Sequence, residues 1–448
     1  MREVLDDAVG LLQEMIRNRC VNPPGDEMRN IRTVEKYLDS QGIQSEVFES
    51  SPNRGNLLAE IRGDTSAPSL MLGPAHVDVV PVQDESRWRY PPFGGVVEEG
   101  CVWGRGALDM LYIVAAQTVA FAHLHNDGFR PKGTLKLLIV SDEECAGEAG
   151  ALWMIKHHPE RVKVDYLVTE PGGEPVAHDR AVLWYGEKGT AWTRLTFTGT
   201  EGHGSMPFGV PNAITRMAEG VKRLAAYQPA RTSQFLKPLV GGMEVGRVSR
   251  LMVSNSHTLG LSLKLLSKRN PALARFLHAL SQMTISPNVC AGGTKTNVIP
   301  GRAKVDLDIR ILPGQDEEYV RSQIVTALGE LAQDVTIERV PIDQGGDFSP
   351  GSMSSLETPL VTIMQEVVSE LTGGASRLVP MILTGATDSR FFRRAFGTNS
   401  YGFALHSEEI GISEILRLPH GDNERVPLRT LELTIKAYYL LAQRFLQP

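Results

Sequence analysis

Apolar residues in the first part of the chain alternate between helical and strand-like spacing. Residues 4–18 carry apolar side chains three and four positions apart, which predicts a helix, and a second helix is expected over residues 26–41. Strand-like runs follow at SEVFES, NLLAEIRG, SLMLGPAH, TLKLLIVSDEE and DYLVTE, separated by the helical patterns LYIVAAQTVAFAHL and AGALWMIKHH. This alternation predicts an α/β domain whose mixed, mostly parallel sheet is flanked by helices.

The pattern changes near residue 187. AWTRLTFTG, AKVDLDIRIL and DVTIERVPI alternate like half-exposed strands, while PNAITRMAEGVKRLAAY and QDEEYVRSQIVTALGELAQ have helical spacing. These runs predict a small open-faced α+β domain with one antiparallel sheet and helices on one side. Residues 227–285 add helical patches that the rest of the pattern does not explain.

From about residue 345 the α/β pattern returns. ETPLVTIMQEVVSEL and LRTLELTIKAYYLLAQRFL predict helices, with the strand-like runs RLVPMILTG and NSYGFAL between them. We therefore expect one α/β domain made of residues 1–186 and 345–448. An inserted domain, residues 187–344, interrupts it and carries the helical addition at about 227–285.

Composition and charge narrow the functional classes. The chain has 448 residues and a net charge of −6, so it lacks the basic balance of nucleic-acid-binding proteins and shows no polybasic membrane patch. No apolar run approaches the roughly 20 residues of a membrane span. The four cysteines are widely spaced, which favours a reduced compartment. We expect a cytoplasmic protein that binds neither nucleic acid nor membrane.

The adjacent carboxylates Glu143 and Glu144 are the most informative pair in the chain. They follow an apolar run that predicts a buried strand. Neighbouring side chains on an extended chain point to opposite sides, so one carboxylate can bind a metal while the other faces substrate.

Four further residues lie at comparable places, at the end of an apolar run or in a loop rich in Gly or Pro: His76, Asp109, Glu170 and His420. Singly, each has an ordinary explanation, such as a core histidine, a helix N-cap or a surface acid. Together with Glu144 they make two histidines and three carboxylates. That donor set suits Zn²⁺, with Co²⁺ or Mn²⁺ possible.

Five such ligands from separate loops suit two metal ions that share a carboxylate and a water molecule, about 3.5 Å apart. Asp78 follows His76 by two residues and can hold its second ring nitrogen. Glu143 is next to a ligand but free, which makes it the natural general base.

Eight motifs in this order give the chain a specific resemblance. They are HVDVVP, GRGALDM, SDEE, TEPGG, GEKGTAW, GHGSMP, TNVIPGRAKVDLDIRILPG and HGDNERV, and they cover nearly the whole length. The chain resembles the co-catalytic zinc hydrolases that include aminoacylases, glutamate carboxypeptidase, acetylornithine deacetylase and succinyl-diaminopimelate desuccinylase.

This resemblance implies a role for each metal-site residue. His76 and Glu170 would hold one zinc ion, and Glu144 and His420 the other. Asp109 would bridge the two ions. Asp78 would orient His76, and Glu143 would be the acid and base of catalysis.

The resemblance also implies that the α/β domain is the catalytic di-metal domain and that the inserted domain is a lid or dimerisation domain with roles for three of its residues. His203 would stabilise the oxyanion, and in dimeric relatives this histidine reaches the partner's active site. Asn297 and Arg310 would contact the oxyanion or the substrate carboxylate, for which the planar guanidinium is suited. Domain closure and a possible homodimer are therefore expected.

One motif departs from the family pattern. Many relatives have Met-Lys-Gly after the bridging carboxylate, whereas this chain has Met110-Leu111-Tyr112. We hypothesise a less polar environment near the site entrance. Together with Phe208, it slightly favours a hydrophobic acyl group or side chain.

The expected activity is cleavage of the amide bond in an N-acyl amino acid or small peptide with a free carboxylate. Aminoacylases, dipeptidases and carboxypeptidases share these ligands, so the residues leave the exact substrate open. A different class, a metal-bound scaffold that binds ligands without turnover, is disfavoured because the ligands and the base are all present.

Overall fold

The computed structural model of the chain describes residues 2–243, 246–341, 346, 348–374 and 376–447. In chain order its helices are α1 (Arg2–Arg17), α2 (Met28–Ser40), α3 (Tyr112–Asn126), α4 (Ala151–His157), α5 (Pro159–Val162), α6 (Ala213–Ala226), α7 (Leu236–Gly242), α8 (Arg247–Ser254), α9 (Ser256–Ser267), α10 (Pro271–Ser281), α11 (Glu317–Leu328), α12 (Pro359–Leu371), α13 (Ser389–Phe396), α14 (Ile412–Ile415) and α15 (Leu428–Phe445).

The strands are β1 (Ser45–Ser51), β2 (Arg54–Ile61), β3 (Leu70–His76), β4 (Val96–Glu98), β5 (Cys101–Trp103), β6 (Leu135–Val140), β7 (Tyr166–Thr169), β8 (Pro175–Ala177), β9 (Arg180–Glu187), β10 (Gly189–Ala191), β11 (Thr193–Thr198), β12 (Gly202–His203), β13 (Thr284–Gly292), β14 (Val298–Ile299), β15 (Arg302–Ile311), β16 (Val335–Arg339), β17 (Phe348–Ser349), β18 (Ser352–Met353), β19 (Arg377–Leu383), β20 (Asn399–Gly402) and β21 (Arg425–Pro427).

These elements form two compact units. The first comprises Met1–Tyr185, Ser354–Met381 and Thr387–Pro448, and the second comprises Gly186–Met353 and Ile382–Ala386. The first unit is thus assembled from both ends of the chain. The domain boundary expected at residues 344 and 345 lies outside the described residues.

The first unit is built on a mixed sheet whose order is β1-β2-β6-β3-β7-β20-β9. The central strands β6, β3, β7 and β20 run parallel, and β1, β2 and β9 pair antiparallel at the two sides. Every residue of β3 and β6 is buried, as expected for parallel strands covered by helices on both faces. The predicted α/β fold is confirmed.

Helix α3 forms the core of the first unit and packs against α1 and α15. Counted with the turn before it, the stretch Ala107–Asn126 is long and apolar enough to cross a membrane by length and composition. The expectation that no apolar run reaches that length is therefore wrong. Burial explains the composition, because nearly all of α3 is enclosed by protein.

The second unit contains an antiparallel sheet of order β16-β11-β15-β10-β17, with β13 also paired to β15. Buried and half-buried residues alternate along β15, so one face of the sheet points into a core. Helices α6 and α11 cover that face. The predicted open-faced sheet with helices on one side is confirmed, whereas β9 and β13 were not predicted as strands.

A buried carboxyl group in the first unit gives its stability a distinctive pH dependence. Both carboxylate oxygens of Glu174 accept from the indole N–H of Trp184, at 3.0 and 3.2 Å. Burial raises the pKa of Glu174 from 4.5 to about 7. The folded state therefore favours the protonated form of Glu174. This preference adds to the free energy of unfolding in full below pH 4.5, and the contribution is lost as the pH rises through 7.

We expect Glu174→Gln to remove this dependence, because the amide is neutral at every pH. Relative to the variant, the wild type should lose roughly 1–3 kcal/mol of unfolding free energy between pH 4.5 and 7. Urea unfolding at several pH values, at constant metal content, measures the difference. The exposed Glu330 supplies a control in Glu330→Gln. A difference between wild type and Glu174→Gln that stays constant with pH would contradict the assignment.

Candidate metal centre

The polar residues of the site lie at one edge of the first unit's sheet. β3 ends at His76, β6 is followed after two residues by Glu143 and Glu144, and β7 is followed directly by Glu170. These three strands are parallel neighbours with β3 in the middle. Because parallel strands end at a common edge, their following side chains converge there.

The structure brings the five expected metal ligands together in two groups that share Asp109. His76 Nε2 lies 3.3 Å from Asp109 Oδ1 and 3.4 Å from Glu170 Oε1. His420 Nε2 lies 3.3 Å from Asp109 Oδ2 and 3.1 Å from Glu144 Oε1. The two oxygens of one carboxylate therefore face two different histidines, as a bridging ligand requires.

The pKa values of these residues are shifted because several carboxylates and two histidines lie close together in a largely buried site. Burial raises the pKa of Glu144, and it raises the pKa of Glu170 to about 7. Burial also opposes the charge of Asp109, but its attraction to the nearby rings of His420 and His76 outweighs burial and lowers its pKa. Hydrogen bonds to Asp109 and Glu144 raise the pKa of His420 to about 10. The site thus favours positive charge among its carboxylates.

The ring of His76 provides a test of whether a metal ion fits. Its Nδ1 lies 3.1 Å from the carbonyl oxygen of Asp78 and 3.3 Å from Asp78 Oδ1, so Nδ1–H is the donor. In the neutral ring that a metal ligand must be, Nε2 then carries a lone pair. This atom is buried and makes no well-formed hydrogen bond in the described part of the chain. A lone pair facing two carboxylate oxygens is repulsive unless a cation lies between them. The nitrogen and oxygen donors suit Zn²⁺, Co²⁺ or Mn²⁺.

Asp78 connects the histidine to the Glu143–Glu144 pair. Besides facing the His76 ring, its carboxylate accepts from the backbone N–H of Glu143 at 3.2 Å and of Glu144 at 3.1 Å. It also accepts from Asn22 Nδ2 at 2.9 Å. One buried carboxylate therefore fixes both a ligand ring and the backbone that carries the neighbouring ligand and base.

A second layer, which sequence reasoning missed, holds the residue before Glu143. Asp142 has a left-handed backbone (φ +73°), and its carboxylate accepts from Asn22 at 3.0 Å and from the Ala149 N–H at 2.9 Å. Arg54 also pairs with Asp142, and its Nε lies 2.7 Å from Glu27. Asn22 and Arg54 lie in runs with no catalytic motif, so the sequence offered no signal for them.

Glu424 is a second functional residue that sequence reasoning missed. Its carboxylate accepts from the backbone N–H groups of Gly106, Leu108 and Asp109 at 2.9–3.0 Å and from Arg105 at 2.7 Å. It lies four residues after His420 and so ties the loops of two ligands together. Its position inside the HGDNERV motif was the available signal.

The hypothesis about Leu111 and Tyr112 is wrong. Their side chains are 1% and 2% exposed, and the hydroxyl of Tyr112 lies 3.0 Å from His406 Nε2 in the interior. The helix that follows Asp109 turns both residues into the core, so they do not make the site entrance apolar. Phe208, in the second unit, is fully exposed.

The three residues expected from the inserted domain lie in the second unit. His203 is on β12, which pairs with β14, and Asn297 directly precedes β14; the Gly204 N–H donates to the Asn297 carbonyl at 2.8 Å. His203 Nδ1 lies 2.7 Å from Ser205 Oγ. Arg310 is on β15, where its Nε donates to Asp308 at 2.7 Å. Among the described residues, no hydrogen bond joins Arg310 to His203 or Asn297.

Comparison with known proteins agrees with this centre. The chain is 24% identical over 386 residues to a probable succinyl-diaminopimelate desuccinylase of Staphylococcus aureus, covering 86% of each protein. It is 28% identical over 441 residues to the N-fatty-acyl-amino acid synthase/hydrolase PM20D1 of Xenopus tropicalis, covering 92% of this chain and 80% of the relative.

The fold also matches a solved structure. The M20 family metallo-carboxypeptidase Sso-CP2 from Sulfolobus solfataricus superposes with a TM-score of 0.70 at 18% identity, covering 99% of both chains. Residues 74–444 match the profile of Peptidase family M20/M25/M40. This match covers most of the chain, and the two groups of candidate ligands that share one carboxylate agree with it. The chain belongs to Peptidase family M20/M25/M40, whose members are metal-dependent hydrolases of amide bonds.

Proposed function

We propose that this protein is a two-metal amidohydrolase that removes the acyl group from an N-acyl amino acid with a free carboxylate. The observation that carries the proposal is the position of Asp109, whose two oxygens lie 3.3 Å from two different histidines. A carboxylate shared in this way suits two neighbouring cations rather than one.

The chain's residues divide into two ligand sets. His76 and Glu170 would hold one ion, His420 and Glu144 the other, and Asp109 both. Two zinc ions, or cobalt or manganese, would activate a water molecule and polarise the amide carbonyl.

Glu143 is proposed as the proton carrier. Loss of solvation raises the pKa of its carboxyl well above the ordinary value, so it can accept a proton from water and later return it to the leaving amine. Its backbone N–H is held by Asp78, which keeps the residue beside the ligand Glu144. The backbone of the proposed proton carrier is thus held by the same carboxylate that faces the His76 ring.

Three residues of the second unit are proposed to bind substrate. His203 would stabilise the oxyanion, and support comes from its exposed ring, whose Nδ1 is held by Ser205. Asn297 and Arg310 would bind the oxyanion or the substrate carboxylate, and Arg310 offers a guanidinium next to the carboxylate of Asp308. We also propose a homodimer and a cytoplasmic location, the latter supported by the acidic composition and widely spaced cysteines.

The names of two relatives support deacylation, rather than dipeptide cleavage, as the proposed reaction. The names of the desuccinylase and of the N-fatty-acyl-amino acid hydrolase both describe an acyl group on an amino-acid nitrogen. In support, this chain carries all five expected ligands, which lie together in two groups, and the expected base Glu143.

The test is hydrolysis of a panel that contains N-acetyl, N-succinyl and long-chain N-acyl amino acids together with dipeptides. The purified protein is assayed metal-free and with Zn²⁺, Co²⁺ or Mn²⁺. Metal-dependent release of an amino acid from an acylated substrate is the expected result. Preference for dipeptides would replace deacylase by dipeptidase, and no cleavage with two metals bound would favour a non-catalytic scaffold.

Glu143→Gln should lower kcat about 100-fold or more while both metals stay bound, because the amide cannot carry the proton. Steady-state kinetics and metal analysis on the same sample measure the two effects. Glu148→Gln is the matched control, since Glu148 is an exposed acid in the same loop. Full turnover by metal-loaded Glu143→Gln would rule out the assigned role.

Glu424→Gln should weaken metal binding about 10- to 100-fold. The carboxylate accepts hydrogen bonds from three backbone N–H groups and Arg105 through two oxygens, whereas an amide has only one acceptor oxygen. Activity should return with excess metal. Metal titration of the folded variant measures the effect, and Glu432→Gln, which alters a surface ion pair with Lys436, is the control. Unchanged metal affinity would show that this brace does not position the ligands.

A further inference from the structure

The helical addition of the second unit exposes apolar and basic side chains side by side. Four of the five exposed leucines in the described chain lie on its helices, and Leu251, Leu261 and Leu265 are 73%, 56% and 53% exposed. Isolated exposed leucines are ordinary on protein surfaces, but a cluster on adjoining helices is not.

The leucines alternate with cations in a regular way. On α9 and the residue after it, Leu261, Lys264, Leu265 and Lys268 follow a spacing of three and four residues, so they share one exposed face. On α8, Arg250 is next to Leu251, and both are exposed. Helices α8 and α9 pack against each other. We call the α9 set, Leu261, Lys264, Leu265 and Lys268, the leucine–lysine face, and Arg250 and Leu251 add an exposed cation and leucine on the adjoining helix.

The charge of the addition is opposite to that of the whole chain. Residues 227–285 contain eight Lys or Arg residues and a single acid, Glu244, although the chain as a whole carries −6. Glu244 lies outside the described residues. The leucine–lysine face therefore has no carboxylate of its own segment, among the described residues, to neutralise its cations.

A cavity of about 390 Å³ lies between these helices. Apolar side chains from α8, α9 and α10, among them Met252, Leu263 and Leu277, line it together with Lys268 and Arg269. An apolar cavity lined in part by two cations is complementary to an amphiphile with an acyl chain and an anionic head.

We propose that the leucine–lysine face docks on an anionic lipid bilayer. An interfacial helix combines exposed leucines with Lys or Arg beside them, because the leucines enter the acyl boundary while the cations meet anionic headgroups. Nucleic acid would use the cations but leave the leucines in water. A second copy of the same face would bring like charges together.

This docking departs from the expectation that the protein binds no membrane. That expectation rested on net charge, which averages a basic segment with a more acidic remainder. The proposal does not depend on the hydrolase activity, because none of its residues belongs to the metal centre.

The experiment is co-sedimentation of the full-length, metal-loaded protein with vesicles of phosphatidylcholine alone or mixed with phosphatidylserine. Wild type should bind the anionic vesicles, and binding should fall as salt is raised. Lys264→Glu/Lys268→Glu should weaken binding at least about 25-fold, from about fivefold per charge removed. Leu261→Ser/Leu265→Ser should also weaken it, while Lys156→Glu/Lys163→Glu, at exposed positions of the first unit, should match wild type.

Three results would overturn the proposal. The first is no binding to anionic vesicles at low salt, and the second is equal binding by wild type and both face variants. The third is a different occupant of the face. Either duplex DNA binds as tightly as the vesicles and Leu261→Ser/Leu265→Ser does not weaken that binding, or the protein binds no vesicles and light scattering shows a dimer that this variant dissociates. Circular dichroism and metal content confirm that each variant is folded.

Discussion

Repulsion among carboxylates at one edge of the first unit's sheet is the constraint on which the rest of the site depends. Asp109, Glu144 and Glu170 converge there with two histidines, and Glu143 lies beside them. Their charges are costly in a partly buried space unless cations compensate them. The two histidines supply that compensation in part, and the shared position of Asp109 creates two places where metal ions complete it.

The surrounding layer positions these acids with backbone N–H groups. Asp78 accepts from the N–H groups of Glu143 and Glu144, and Glu424 accepts from the N–H of Asp109 and two neighbouring residues. The arginines of this layer, Arg54 and Arg105, pair with outer acids instead of the ligands. A guanidinium among the ligands would compete with a metal ion, whereas an N–H dipole orients a carboxylate without occupying its place.

The charge of the chain is divided between regions with different roles. The metal centre gathers acids, while the addition between α6 and β13 gathers bases and exposed leucines. Net charge and overall composition average these regions, so they describe neither one. The apolar composition of α3 has a separate cause, which is the burial of this helix against α1 and α15.

Local spacing in the sequence was sufficient to predict the α/β sheet, the antiparallel second sheet and the five candidate ligands that the structure brings together, because periodicity and strand-end polar residues are local features. Strand β13 was missed because Pro287 and the bulge beside it break the strand pattern. β9 was missed because a short apolar run does not separate a strand from a helix.

The roles of Asn22, Arg54 and Glu424 were decided only by tertiary structure. Asn22 meets Asp78 and Asp142 from 56 and 120 residues away, and hydrogen bonds of that kind leave no periodic trace in a sequence. The side-chain directions of Leu111 and Tyr112 likewise depended on the turn after Asp109. The sequence by itself determined which residues can bind metal, since that depends on their chemistry. The fold decided what holds them in place, since that depends on which distant backbones meet.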